Sequence, residues 1–151
     1  MSESAIRAEI FNILSSVQGI GKVYDYDRWA ADWSAFINLF KTVIAGKEHI
    51  RGFEIVRIAA TAAYDDNAEE TITHQYRIRG YMSLKDADAT EKTFNNLIEE
   101  IRDKFRFNFS LNGKCEFAGP VSVDVIDVRT FGSVLCHYCE LTLPVHELYT
   151  S

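Results

Sequence analysis

Residues 71–107 read TITHQYRIRGYMSLKDADATEKTFNNLIEEIRDKFRF, and within this stretch a two-residue rhythm gives way to a three-to-four-residue one. Ile72, His74, Tyr76, Ile78, Gly80, Met82 and Leu84 share one face of an extended segment. Thr73, Gln75, Arg77, Arg79 and Ser83 line the other, which is the alternation of a half-buried strand. After the polar turn Lys85 to Asp88, residues Phe94, Leu97, Ile98, Ile101 and Phe105 recur at helical spacing and make one apolar stripe. Asp88 followed by Glu91 reads as an N-cap with an acid at the third helical position. A strand that turns directly into a helix fixes the scaffold class, and no catalytic signature of comparable clarity occurs in the chain.

Upstream, Ile6, Ile10, Ile13, Leu14 and Val17 predict a helix over Ser4 to Gln18, stopped by Gly19. Gly21 to Tyr26 reads as a brief extended piece. Asp27 then caps an expected second helix over Arg28 to Ala45, carrying Trp29, Trp33, Phe36, Ile37, Phe40 and Ile44, with Gly46 as its stop. Phe53 to Tyr64 is rich in β-branched residues but alternates weakly, which predicts a strand covered on both faces or paired centrally. With the strand that begins at Thr71 it should form an antiparallel hairpin whose tip, Asp65 to Glu70, is acidic. Downstream, Asn112-Gly113 and Gly119-Pro120 mark turns around a short piece at Lys114 to Phe117. Val121, Val123 and Val125 alternate, a turn is expected near Arg129 to Gly132, and Phe131 to Val145 places Leu135, Cys139, Leu141 and Leu143 on one face. The order helix, helix, hairpin, helix, hairpin predicts an α+β fold: a largely antiparallel sheet of about four to five strands covered by helices, in a single domain spanning 1–151.

The chain has 151 residues, 47% of them apolar and 13% aromatic, ample for one core that buries roughly two-thirds of the unfolded surface. No apolar run approaches the ~18 residues of a membrane span. Met1 to Glu9 is too polar for a signal peptide, so a cytosolic chain is the expectation, and three cysteines suit a reducing compartment. A net charge of -6 argues against partners bound by phosphate neutralisation, nucleic acids above all. Arg102, Lys104 and Arg106, at the end of the third predicted helix, read as cations complementing its dipole.

Short motifs suggest chemistry that their context opposes. Cys136-His137-Tyr138-Cys139 resembles a redox or zinc half-site, but on a strand positions i and i+3 point to opposite faces, and Cys115 and His146 stand alone. Gly19-Ile20-Gly21-Lys22 follows a helix, whereas a phosphate loop follows a strand and opens a helix. Asp65, Asp66, Glu69 and Glu70 lack the spacing of a calcium loop and read as a solvated tip that can dock a basic neighbour. Of the histidines at 49, 74, 137 and 146, His74 lies on an apolar strand face, where a satisfied core histidine is expected. No metal, cofactor or catalytic residue is expected. Tyr24-Asp25-Tyr26-Asp27-Arg28-Trp29 is dense in the aromatics and arginine that anchor protein interfaces, although Tyr24 and Trp29 could equally pack beneath the first helix.

That same stretch, from Gly19 through Trp29, resembles a turn in proteins of phage and prophage tail and neck modules, as does the ending Arg129-Thr130-Phe131-Gly132-Ser133-Val134-Leu135-Cys136-His137. The layout is similar to the tail terminator proteins of long-tailed phages: an amphipathic first helix, an antiparallel sheet, a crossing helix such as Thr90 to Phe107, and a long last strand like Leu135 to Val145. The resemblance implies a non-enzymatic ring, usually of six copies. Such a ring caps the last layer of the tail tube, ends its polymerisation and presents a surface to the head connector. It implies assembly in the host cytoplasm and residence in the virion neck, with other copies of the chain, the tail tube protein and the head-tail connector protein as partners. No membrane and no sequence-specific nucleic acid is involved. Here the predicted aromatic helix Arg28 to Ala45 is an addition to the shortest members. On this reading Tyr24, Tyr26, Arg28, Trp29 and Trp33 carry contacts between subunits, and Asp65, Asp66, Glu69 and Glu70 meet the tube or connector. An acidic lumen would also let DNA pass without sticking. The alternative expectation is a small host α+β domain, binding or enzymatic, with a pocket between sheet and helices.

Overall fold

The alternating segment becomes the middle strand of a mixed sheet. The computed structural model describes residues 2–151. In chain order the elements are α1 (Glu3–Ser15), β1 (Lys22–Tyr24), α2 (Trp33–Asn38), β2 (Lys41–Ile44), β3 (Lys47–Tyr64), β4 (Glu69–Ser83), a 3-10 turn at Asp86–Asp88, α3 (Thr90–Phe105), β5 (Phe117–Ala118), β6 (Ser122–Phe131) and β7 (Val134–Thr150). The main path of the sheet is β1-β3-β4-β7-β5, with β2 added to β3 and β6 added to β7. Only β1 and β3 run parallel among these pairs. β4 is paired along its length on both sides, with β3 from Arg51 to Tyr64 and with β7 from Cys136 to Thr150. Its backbone groups are therefore satisfied within the sheet, as burial requires.

Each face of the sheet carries its own apolar cluster. On the first, Tyr76, Ile78 and Met82 of β4 join Phe53 and Ile55 of β3 and Cys139, Leu141 and Leu143 of β7 beneath α1 and α3. The predicted α3 stripe, Phe94, Leu97, Ile98, Ile101 and Phe105, is buried there in full. On the second face Phe36, Ile37 and Phe40 pack on Tyr81, Phe131, Cys136 and Tyr138. This division gives Cys136 and Cys139 to different clusters, so their thiols cannot converge, as the strand periodicity requires. Burial pushes the Cys136 thiol up to about 11 and Cys139 to about 12, which keeps both protonated and unreactive at neutral pH.

Several sequence expectations are corrected. The helix expected over Arg28–Ala45 is a single short helix, α2, with Asp32 rather than Asp27 as its cap: Asp32 Oδ1 accepts from the Ala35 amide at 2.7 Å. Lys41–Ile44, with three β-branched residues, leaves the helix to pair with β3, and Ala45 and Gly46 both take positive φ, +52° and +79°, the signature of a two-residue hairpin turn. This added strand, with the short β1 and β5, raises the sheet from the expected four or five strands to seven. β3 therefore begins at Lys47, before the expected Phe53, and beyond Val56 its side chains are exposed rather than covered. Asp88 does not cap α3. It lies in the 3-10 turn and pairs with Lys85 Nζ at 3.2 Å, while Ala89, at φ +53°, precedes the helix. Thr90 does the local work instead: its Oγ1 accepts from the Lys85 amide at 2.9 Å and lies 2.8 Å from His137 Nε2. The last hairpin turns at Gly132 and Ser133, just beyond the expected place, and Leu135 is exposed although Cys139, Leu141 and Leu143 on its face are buried.

Gly80 marks the tightest point of the sheet. A Cβ there would meet the Phe53 ring at 2.3 Å and Cys139 Sγ at 2.7 Å, groups of the two flanking strands. Gly80→Ala is expected to lower the unfolding free energy by about 1–3 kcal/mol, the usual effect of overpacking. Urea titration checks this, and an unchanged midpoint would mean that the strands can part at no cost.

Candidate functional site

The polar residues of β4 that face away from α1 and α3 form the floor of a groove. Register across the sheet aligns Glu54 of β3 with Arg79 of β4 and Glu140 of β7, and the next row holds Arg77. Arg79 Nη1 lies 3.7 Å from Glu54 Oε1 and 3.4 Å from Asp27 Oδ1, and Arg77 Nη1 lies 3.3 Å from Glu140 Oε1. The loop 27–32 and α2 form one wall through Trp29, Trp33 and Phe36, and Arg129, Phe131 and Tyr138 form part of the other. The cavity so enclosed is about 560 Å³.

Glu54 is the least ordinary group in it. Only 1% of it is exposed, yet two donors reach it, the Tyr81 hydroxyl at 2.9 Å and the Arg28 amide at 3.1 Å, with the Arg79 guanidinium 3.7 Å away as an ion-pair partner. Burial raises its carboxyl above the ordinary glutamate range, against the opposing pull of the Arg28 amide and the Tyr81 hydroxyl. Through this carboxylate the aromatic loop is tied to the sheet, because the Arg28 amide belongs to the loop and Tyr81 to β4.

Of the five aromatic-segment candidates, Arg28, Trp29 and Trp33 line this groove, and Tyr24 and Tyr26 lie beside it under Arg28. The Arg28 guanidinium stands over Tyr24 at 4.3 Å and over Tyr26 at 5.1 Å, close enough for cation-π attraction. Trp33 packs edge-on against Phe36 and Phe131 with centroids 5.5 and 5.6 Å apart and is still 60% exposed. Trp29 is 81% exposed. Packing beneath α1 is thereby ruled out for both Tyr24 and Trp29, since Tyr24 sits on Phe40 on the opposite face of the sheet. The acidic set lies elsewhere. Asp65, Asp66, Glu69 and Glu70 occupy the hairpin tip, and the stretch of β3 from Glu54 to Tyr64 places them about 30 Å away at ~3.3 Å per residue.

Glu54, Arg77, Arg79 and Glu140 were not singled out from the sequence. Arg77 and Arg79 are visible there as the polar side of β4, but Glu54 sits inside an apolar run and its partners are remote in the chain. His74 is a core histidine, as expected from its face. Its Nε2 meets Glu147 Oε1 at 3.1 Å, both residues are buried, and Tyr149 donates to the second carboxylate oxygen. Gly19-Ile20-Gly21-Lys22 is a turn between α1 and β1, not a phosphate cradle: a Cβ on Gly21 would lie 2.1 Å from the Arg51 carbonyl oxygen. Among the described residues no cluster of three or more His, Cys, Asp or Glu side chains is placed to hold a metal ion, and no helix is long and apolar enough to cross a membrane. Compared with known proteins, the chain matches no family model and no curated protein.

The raised Glu54 carboxyl gives a signed pH effect. A folded-state value above the unfolded one means that the folded chain holds its proton more tightly, so Glu54 contributes most stability below the ordinary glutamate range and loses it as pH rises through its own value. The stability of the natural chain minus that of Glu54→Gln is therefore expected to fall between pH 4.5 and 7.5 in urea titrations. A difference that stays constant or grows would show that the carboxyl is not perturbed in this direction.

Proposed function

We propose that this chain is a non-enzymatic assembly protein of the phage neck, a tail terminator whose copies close into a ring, with six copies expected, and cap the tail tube. The observation that carries this reading is the surface made by Trp29 and Trp33. Two tryptophans stand in solvent, Trp29 on the loop and Trp33 at the start of α2, on a segment that the Asp32 cap, the Phe36 and Phe131 contacts and the Glu54 anchor all hold in place. Exposed, rigid aromatic area of this kind is what interface hot spots are built from. The acidic tip supplies a second, chemically different surface at a distance, and two unlike patches are what a head-to-tail ring requires. The amphipathic α1, the sheet crossed by α3 and the long β7 support the resemblance to tail terminators at the level of layout. In this proposal Tyr24, Tyr26, Arg28, Trp29 and Trp33 meet a neighbouring subunit, the tip meets a neighbour within the assembled neck, and the tube and connector proteins are the outer partners.

Native mass spectrometry across a concentration series tests the ring. One closed stoichiometry is expected, and Trp29→Ala should shift the assembly midpoint upward by about tenfold or more while changing stability by less than about 0.5 kcal/mol, as for other exposed positions. A monomer at every concentration would overturn the reading.

One observation favours a second reading: the groove of about 560 Å³ lies in the size range of small-molecule sites and combines an apolar wall with a few polar groups on its floor. A binding domain with its ligand on Arg77, Arg79 and Glu54 would remain monomeric and melt at a higher temperature with one member of a metabolite panel. An assembling chain with no such shift excludes it.

A further inference from the structure

A second groove lies at the other end of the molecule, where α3 ends. Phe105, Phe107, Phe109, Phe117, Pro120 and Val121 line a cavity of about 260 Å³, with Arg102 and Arg106 at its rim. The loop that builds it is fixed by its own hydrogen bonds, Asn108 amide to Phe105 carbonyl at 3.2 Å and Cys115 amide to Ser110 carbonyl at 3.0 Å. Phe109 stacks on Phe117 at 5.2 Å and meets Phe107 edge-on at 6.0 Å. Phe107 is 80% exposed and has φ +60°, a left-handed conformation that a bulky residue rarely adopts and that clusters at functional surfaces. The fold thus holds a strained phenylalanine outward, where it adds nothing to the core.

The hairpin tip has the complementary chemistry. Tyr64 is 83% exposed and is followed by Asp65, Asp66, Glu69 and Glu70. The tip is preorganised: the Asp65 amide donates to the Glu69 carbonyl at 2.9 Å, Thr71 Oγ1 to Asp65 Oδ2 at 2.6 Å and the Ala68 amide to Asp66 Oδ1 at 2.6 Å. Two acids are thus used to shape the turn, and the carboxylates of Glu69 and Glu70 have no hydrogen-bond or ion-pair partner among the described residues. At the groove, Arg102 and Arg106 pair with Glu99 and Asp103 of their own helix. Exposed pairs of that kind are weak and exchange readily for another acid.

We propose that the phenylalanine groove receives the hairpin tip of a second copy of this chain. Tyr64 enters the apolar cavity, and Glu70, its cross-strand partner on the same face, meets Arg102 and Arg106. This rests on the ring reading, and it assigns the tip to the next subunit rather than to the tube or connector. The contact cannot form within one chain: Phe117 pairs with His146, which faces Thr73, and from Thr73 to Asp66 the strand extends about 20 Å further. The larger groove suits the tip less well, because Arg77 and Arg79 are already held there by Glu140, Asp27 and Glu54. Tip and groove are different surfaces, so repetition of the contact runs head to tail, the arrangement that a ring is built from when the rotation closes.

Sedimentation velocity on the full chain tests the docking with a charge exchange. Glu69→Lys with Glu70→Lys, or Arg102→Glu with Arg106→Glu, should each weaken self-association by about tenfold or more, as loss of interfacial charge pairs does. The protein carrying all four changes should recover it. Mixing the two defective proteins should also restore assembly, with the two variants alternating, because one junction is then natural and the next is charge-swapped. Phe107→Asn separates docking from folding, since asparagine tolerates the left-handed backbone: it should leave the melting temperature unchanged or higher and still impair assembly. If the natural chain assembles and the charge and Phe107 variants assemble equally well, this docking is wrong and the ring stands; if the natural chain never assembles, both fall.

Discussion

β4 is paired on both sides along its length, and this obliges each face of the sheet to be dealt with separately. Gly80 leaves room for the side chains of Phe53 and Cys139 from the two flanking strands, both of which a Cβ at this position would meet. With the first face sealed by α1 and α3, the aromatic residues between β1 and β2 can be accommodated only on the second. There they share the surface with a row of charged side chains that the strand register places side by side. The groove is the boundary between these two populations, and Glu54 sits on it.

This arrangement concentrates apolar surface where the fold has no use for it. A carboxylate with 1% exposure is costly to bury unless donors meet it, and here the donors include the backbone of the loop that presents Trp29. A monomer gains little by fixing a tryptophan in solvent. The same holds for Phe107, kept outward by a left-handed backbone. Two rigid aromatic surfaces and an acidic tip, each structured before any partner arrives, reduce the ordering cost of association.

Periodicity made the central elements legible in the sequence. α1, β4 and α3 follow from apolar spacing alone, and the parting of Cys136 from Cys139 follows from strand geometry. Trp29 to Ile44 was misread because its apolar residues happen to fall at helical spacing as well, and only pairing with β3 removes Lys41–Ile44 from the helix. Tertiary context won there over local pattern. α3 begins without a side-chain cap, and Thr90 at its start is engaged by Lys85 and by His137, the latter so distant in the chain that it leaves no local trace. The aromatic candidates and the acidic tip were visible as composition. The Glu54–Arg79–Glu140 row was not, since it exists only once three strands are in register.

The central claim is that this molecule acts through its outer surfaces as one piece of a closed assembly. Electron microscopy of tubes polymerised from a phage tail tube protein, with and without this chain, tests it most directly. The account predicts shortened tubes with a ring of added density at one end. Tubes of unchanged length with bare ends would contradict it.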